Sequence, residues 1–364
     1  MRQDVIDWAA GRRPPKRPSK ETLNHPGLIE LASGLDPFRE TAAAFLRAYA
    51  ALGIDLINIV PESPAPVPLE PGAVRFRDDG VSEAYLGVFN TTARVSFPFT
   101  SLDAFWAFDF RDFAYADLKL PGAQYTMPCE PAAIERKQAL AAPAGLYYYQ
   151  LYTTLFMWGV EGLGWEIFLL AAGMEPERFD QHFLEPVFAA SKRLVTMLSM
   201  LDTPLVFVHD DIAAGTGPMF HPDWYRQYIF PRYEELWRIP HEHGKRLVFV
   251  ADGKLDWALP ALRETGIDGI MFETPATDLD AVLDVFGDRL FIGGIDTAVL
   301  RVGGPDAIRR HVDDVAARAG KFDGYAMCSA GGLNGDLPLA HLEAYFDARV
   351  EAGFTAPDWR HNGA

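Results

Sequence analysis

From residue 205 onward, short runs of β-branched and aromatic residues alternate with amphipathic stretches. Leu205-Val206-Phe207-Val208-His209 is apolar on both faces until its last residue, which predicts a strand covered on both sides. A helix over 223–243 follows, opened by Pro222-Asp223 and closed before Gly244. Leu247-Val248-Phe249-Val250-Ala251 predicts the next strand, with a helix behind it that runs to Glu264 and stops at Gly266. Gly269-Ile270-Met271-Phe272, Leu290-Phe291-Ile292-Gly293 and Tyr325-Ala326-Met327 repeat the pattern, and helices between and after them start at Asp278, Pro305 and Pro338. Upstream, a helix over 37–52 leads into Leu56-Ile57-Asn58-Ile59-Val60, and Leu146-Tyr147-Tyr148-Tyr149-Gln150-Leu151 precedes two more helices. Strictly alternating strand–helix units of roughly 20 to 35 residues imply a parallel sheet, closed into a (β/α)8 TIM barrel or left open and doubly wound. The barrel is favoured, with seven strands placed and the eighth unassigned.

Between 61 and 140 the alternation breaks into proline-rich and alternating segments such as Ala84-Tyr85-Leu86-Gly87-Val88-Phe89. This predicts an insertion after the first strand that holds a hairpin and a short helix near Leu102 to Phe108. Long insertions in a compact domain are often lids, and this one is expected over the barrel mouth. The organisation expected is an N-terminal extension (1–36), one barrel domain (37–355) carrying the insertion, and a tail (356–364). Within the extension, Arg12, Arg13, Lys16, Arg17 and Lys20 interleave with Pro14, Pro15 and Pro18, the composition of a solvated, proline-stiffened basic arm.

Composition narrows the partners. Against 33 Lys+Arg stand 50 Asp+Glu, a formal charge of −17, which repels nucleic acid and anionic membranes. Met1-Arg2-Gln3-Asp4 opens no apolar core of signal-peptide length, and no apolar run approaches membrane-spanning length. A soluble cytoplasmic protein is expected. Two cysteines, Cys129 and Cys328, make neither a disulfide framework nor a four-thiolate zinc site.

The candidate chemistry lies at the strand ends. Barrel active sites form at the C-terminal ends of the strands, and those ends read His209-Asp210-Asp211, Asp252, Glu273, Asp296 and Cys328. Any one acid there can be a helix N-cap. Five successive strands delivering an acid, a thiol or an imidazole point to an active site. Asp210, Asp211, Asp252, Glu273 and Asp296 are the candidate catalytic acids. His209 joins Tyr147, Tyr149, Tyr152 and Trp158 as candidate substrate-binding residues.

The stretch from His209-Asp210-Asp211-Ile212-Ala213 through Gly217-Pro218-Met219-Phe220-His221-Pro222 to Tyr228-Ile229-Phe230-Pro231-Arg232-Tyr233 resembles the uroporphyrinogen decarboxylase superfamily, which includes cobalamin-dependent methyltransferases. Asp252-Gly253, Glu264-Thr265-Gly266-Ile267-Asp268-Gly269 and Phe291-Ile292-Gly293-Gly294-Ile295-Asp296 continue the resemblance over roughly residues 140 to 355, with a weaker match at Leu52-Gly53-Ile54-Asp55. It implies a (β/α)8 barrel with its site at the C-terminal mouth. The Arg-Gln-Ala-Gly-Arg-Tyr segment by which authentic decarboxylases hold tetrapyrrole carboxylates is absent, and an octa-anionic guest suits a chain of charge −17 poorly. In the methyltransferase branch a His-x-Cys pair and a later Cys hold zinc. Here the pair's position reads Val250-Ala251-Asp252, while Cys328 is retained. The resemblance therefore leaves a zinc set of Asp252, Glu273 and Cys328, with His209 as a substitute imidazole, against a metal-free pocket.

The function expected is methyl transfer from a small methoxylated or methylated-amine donor to a corrinoid (cobalamin), free or on a separate corrinoid protein. Crowded acids would supply the proton, and the Tyr147–Tyr152 wall with Phe97, Phe99, Phe105 and Trp106 of the insertion would enclose the donor. Tetrapyrrole decarboxylation and a non-catalytic corrinoid- or tetrapyrrole-binding barrel are the alternatives.

Overall fold

The computed structural model describes residues 3–14, 16–61, 64–111 and 130–361. Parallel strands form its centre. Gln150–Leu151, Leu205–His209, Arg246–Ala251, Gly269–Phe272, Leu290–Ile295 and Tyr325–Ser329 lie side by side in that order. Leu56–Ile57 and Leu146–Tyr147 pair in parallel as a second, two-stranded sheet. Two isolated parallel bridges connect the parts, Ser19 with Met327 and Lys20 with Leu56. All five residues of Leu205–His209 and of Tyr325–Ser329 are buried, the double covering that their apolar runs require.

The side-chain alternation of the strands sorts the core into two layers. Leu205 and Phe207, Val248 and Val250, and Leu290 and Ile292 form an inner cluster between the strands. The intervening Val206, Val208, Phe249 and Phe291 pack outward against the helices. Tyr148 stacks on Phe207 in the inner layer, with ring centroids 3.8 Å apart. Cys328 belongs to the same layer.

Several elements differ from their expected form. The 146–151 run splits into Leu146–Tyr147 and Gln150–Leu151, the first pairing Leu56–Ile57 and the second Leu205–His209. The helix over 223–243 is two helices, Pro222–Tyr228 and Phe230–Glu242, because Pro231 fits the first turn of a helix and not its interior. The basic segment is not a solvated arm throughout. Lys16 pairs with buried Asp55 at 3.2 Å, and Ser19, Lys20 and Glu21 are buried. The helix Gln3–Ala9 sends Val5, Trp8 and Ala9 into the inner layer. The segment's proline and basic content hid these contacts, since each involves one or two residues with no apolar run to announce them.

In the insertion, Val74–Phe76, Val81–Ala84 and Thr91–Arg94 form an antiparallel sheet, followed by the helix Leu102–Ala107. That helix docks through Phe105, whose ring lies 5.3 Å from His182. Cys129 lies outside the described residues. No described helix is long and apolar enough to cross a membrane.

Candidate active site

The period of two that puts Leu205 and Phe207 inside carries on to His209 and Asp211. Buried His209 holds Asp211 Oδ1 through Nε2 at 2.7 Å, and Gln150 Nε2 lies 3.1 Å from its Nδ1. The imidazole stands edge-on to Tyr152, 4.4 Å between centroids. Burial favours the neutral ring, but Asp211, with Asp252 and Asp210 behind it, outweighs burial and raises the His209 pKa. Asp211 Oδ1 also accepts the backbone N–H of Asp252 at 2.8 Å, which ties two strand ends together.

Asp252 follows the strand Arg246–Ala251, with part of its surface open to solvent. Its enclosure, then the charges of Asp211 and Glu273, raise its pKa to about 7, against the opposing pull of His209 and Lys20. Glu273 is raised as well, by burial and then Asp211, while the Gly253 N–H opposes the rise. Half-buried Glu161, on the helix Phe156–Leu163, is raised by burial first, with Asp211 adding to it and Arg94 opposing. Four carboxyls thus meet around a single histidine, and the crowding leaves protons on part of the set near neutral pH.

Of these groups, His209 and Asp252 border a cavity of about 390 Å³. Tyr147, Tyr149 and Tyr152 line it, as do Gln150, His209 and Asp252. Lys20, Thr22, Asn58 and Ser329 complete its polar wall, and Val250 and Met271 contribute apolar surface. Gly331 and Gly332, with φ of 67° and 85°, border it without side chains. A Cβ at Gly332 would come within 2.8 Å of Thr22, so the chain passes close to that wall. A broader depression of about 980 Å³ beside Arg263, Asp284 and Asp288 includes none of the strand-end acids, and its Arg263 is paired with Asp288 at 2.6 Å.

Other candidates fall elsewhere. Asp210 is turned away from the cavity: it accepts the N–H groups of Leu155, Phe156 and Met157 and the Tyr233 hydroxyl, at 2.5 to 2.9 Å. Burial pushes its pKa up against those four donors, and its role is to fix the start of the helix Phe156–Leu163. Asp296 caps the helix Thr297–Val302 through the Ala298 N–H at 2.7 Å, and is not a cavity residue. Trp158 is fully buried in the outer core and does not line the cavity.

The zinc set of Asp252, Glu273 and Cys328 does not fit. Cys328 is buried in the inner apolar layer and does not line the cavity that Asp252 borders. Among the described residues, the one group of three or more His, Cys, Asp or Glu donor atoms lying within 4.8 Å of one another is His209, Asp211 and Asp252. Its members are already joined by hydrogen bonds.

Sequence reasoning missed Lys20 on the cavity wall. Lys20, 3% exposed, donates to Thr22 Oγ1 at 2.7 Å. Its neighbour Glu21 faces away, into a sealed network with Arg349 at 2.9 Å, Tyr345 at 2.6 Å and Ser329 Oγ at 2.5 Å. Alternation along the strand-like segment Ser19–Lys20–Glu21 was the available signal, but three polar residues present no hydrophobic pattern to read.

The description of the uroporphyrinogen decarboxylase (URO-D) family matches residues 154–352. The chain belongs to the uroporphyrinogen decarboxylase family. It is accordingly a member of an enzyme superfamily of decarboxylases and related methyltransferases. No curated protein matches it in sequence. Among solved structures it is similar to a sugar phosphate isomerase/epimerase from Parabacteroides distasonis, at 12% identity over 93% of this chain and 97% of that one, with a TM-score of 0.38. It is also similar to a xylose isomerase-like TIM barrel protein from Mycobacterium smegmatis (12%; 93% and 98%; TM-score 0.37). A β-1,4-mannanase from Aplysia kurodai is a third (8%; 96% and 95%; TM-score 0.41).

Proposed function

We propose that this member of the uroporphyrinogen decarboxylase family transfers a methyl group from a small methoxylated or methylated-amine substrate to a corrinoid, free or carried by a separate protein. The observation that carries the reading is Asp252, a carboxyl of pKa about 7 bordering a small tyrosine-walled cavity. A group poised there is both protonated often enough and acidic enough to serve as a general acid. When the methyl–oxygen or methyl–nitrogen bond breaks, the bonding pair stays on the heteroatom and the Asp252 proton goes to it. Asp211, held by His209, accepts the Asp252 backbone N–H and keeps a negative charge beside Asp252, which adds to the rise that burial gives its pKa while His209 opposes it. A reduced corrinoid supplies the electron pair that accepts the methyl group. The cavity suits a small ligand and not a macrocycle, so the acceptor would approach at the mouth, where Gly331 and Gly332 present no side chains.

The architecture proposed with this function is a closed (β/α)8 barrel. Its support is the circuit of parallel pairings, in which the bridges at Ser19 and Lys20 supply the missing eighth strand between Tyr325–Ser329 and Leu56–Ile57. A tetrapyrrole decarboxylase has less support, because eight substrate carboxylates would find one lysine and no arginine among the cavity's described residues.

The test is anaerobic incubation with reduced cobalamin and a panel of methoxyarenes, methylamines and methyl thioethers. The expected result is enzyme-dependent loss of the reduced cobalamin spectrum with at least one donor. No change across the panel contradicts methyl transfer, and conversion of uroporphyrinogen to less carboxylated products would establish the decarboxylase instead.

A further inference from the structure

We infer that the cavity selects a zwitterion, a small molecule with a carboxylate at Lys20 and a methylated ammonium group at Asp252, beside which stand Asp211 and Glu273. This names a substrate class for the proposed site and rests on the methyl-transfer reading for what becomes of the ligand.

The first observation is an unmatched charge. Lys20 is 3% exposed and lines the cavity. Its side chain makes one hydrogen bond, to Thr22, and among the described residues no carboxylate oxygen lies within 4 Å of its Nζ. Other shielded cations have their anions: Arg349 has Glu21 at 2.9 Å, and Arg232 has Asp180 at 2.8 Å. An ammonium carries three donors, and burying its charge without a counter-ion is costly. The second observation stands beside it. Asn58 Nδ2 approaches Thr22 Oγ1 at 3.4 Å, while its buried Oδ1 has no partner. Lys20 and Asn58 thus meet at Thr22 on the cavity wall, and the ammonium keeps two further donors for a ligand carboxylate.

The acid side has the opposite need. Asp252, already enclosed, stands beside the carboxylates of Asp211 and Glu273, whose charges raise it further, and His209 is the imidazole that holds Asp211. A ligand cation would relieve that repulsion. Tyr147, Tyr149 and Tyr152 add the aromatic surroundings that favour methylated ammonium groups. A ligand of one sign would satisfy one side and aggravate the other, whereas a zwitterion satisfies both.

The test is calorimetric titration of the full chain with glycine betaine, with choline, which lacks the carboxylate, and with 3,3-dimethylbutyrate, its uncharged-head isostere. The expected result is betaine binding about tenfold or more tighter than either control. Lys20→Met should abolish the advantage over choline, Lys20→Arg should keep it, and Asp252→Asn should shrink the advantage over 3,3-dimethylbutyrate. Equal binding of all three, no binding of any, or an unchanged betaine-to-choline ratio in a folded Lys20→Met protein would overturn the inference. If Lys20→Met does not fold, the wild-type ratios and Lys20→Arg decide. Methyl transfer from methoxyarenes without betaine preference would remove the zwitterion and leave the transfer reading standing. Betaine preference without transfer from any donor would do the reverse.

Discussion

Lys20 and Glu21 are adjacent in the chain, yet they enter two charged regions of opposite character. Glu21 sits in a sealed network where Arg349, Tyr345, Ser329 and their neighbours satisfy one another, and both Glu21 and Arg349 are fully buried. Lys20 faces a cavity in which one ammonium lacks a counter-ion among the described residues and Asp252, with Asp211 and Glu273 beside it, borders His209. The difference teaches what each region is for. A network closed on itself holds the N-terminal segment to the C-terminal helix Leu339–Glu351. A set with unmatched charge is built to be completed by something that binds.

Breaking the sealed side should have the largest effect on stability. Arg349→Met leaves the Glu21 carboxylate buried without its cation and is expected to cost about 3–5 kcal/mol in denaturant unfolding. A loss below about 1 kcal/mol would mean that the network does not hold the termini together. Across the cavity the order reverses. Asp252→Asn should change stability by less than about 1 kcal/mol while slowing methyl transfer by roughly 10²-fold or more. Asp210→Asn sharpens the contrast between neighbouring acids: with four donors directed at the carboxylate, it should lose about 1–3 kcal/mol of stability. Cys328→Ala should cost about 1 kcal/mol from lost packing and leave the metal content of the purified protein unchanged. Zinc lost in that variant alone would restore Cys328 as a ligand.

The smallest effect concerns pH. The folded pKa of Asp252, about 7, lies above its ordinary carboxylate value. Between those two values the folded state binds more protons than the unfolded one, so this group's contribution to stability falls as pH rises toward 7. His209, also raised, contributes stability that is present at acid pH and lost as pH climbs through its folded value. Melting temperatures from pH 5 to 8 should therefore decline through these groups, and Asp252→Asn should flatten the decline.

Much of this was legible in the chain, and the misses have physical causes. The strands Leu205–His209 and Arg246–Ala251 were visible because doubly covered strands have long apolar runs. The segment at Ser19 and Lys20 was invisible because single bridges need no such run. Asp252 and Glu273 were found as strand-end acids. Asp210 and Asp211 were grouped together, although continuing the period of Phe207 and His209 places Asp211 inside and Asp210 outside. Trp158 was misplaced because an aromatic near a strand end fits a cavity wall and a core equally well by sequence, and here it is core. Cys328 followed the resemblance, but its alternation with Ala326 puts it in the inner apolar layer.

The function turns on Asp252, an acid held near neutrality by burial and then by the charges of Asp211 and Glu273. A ¹³C NMR titration of its carboxyl carbon, in the wild type and in Asp211→Asn, tests this without knowledge of the substrate. The account predicts a midpoint near 7 in the wild type that moves toward the ordinary carboxylate value once Asp211 loses its charge. A wild-type midpoint already near 4, or one that Asp211→Asn leaves in place, would contradict it.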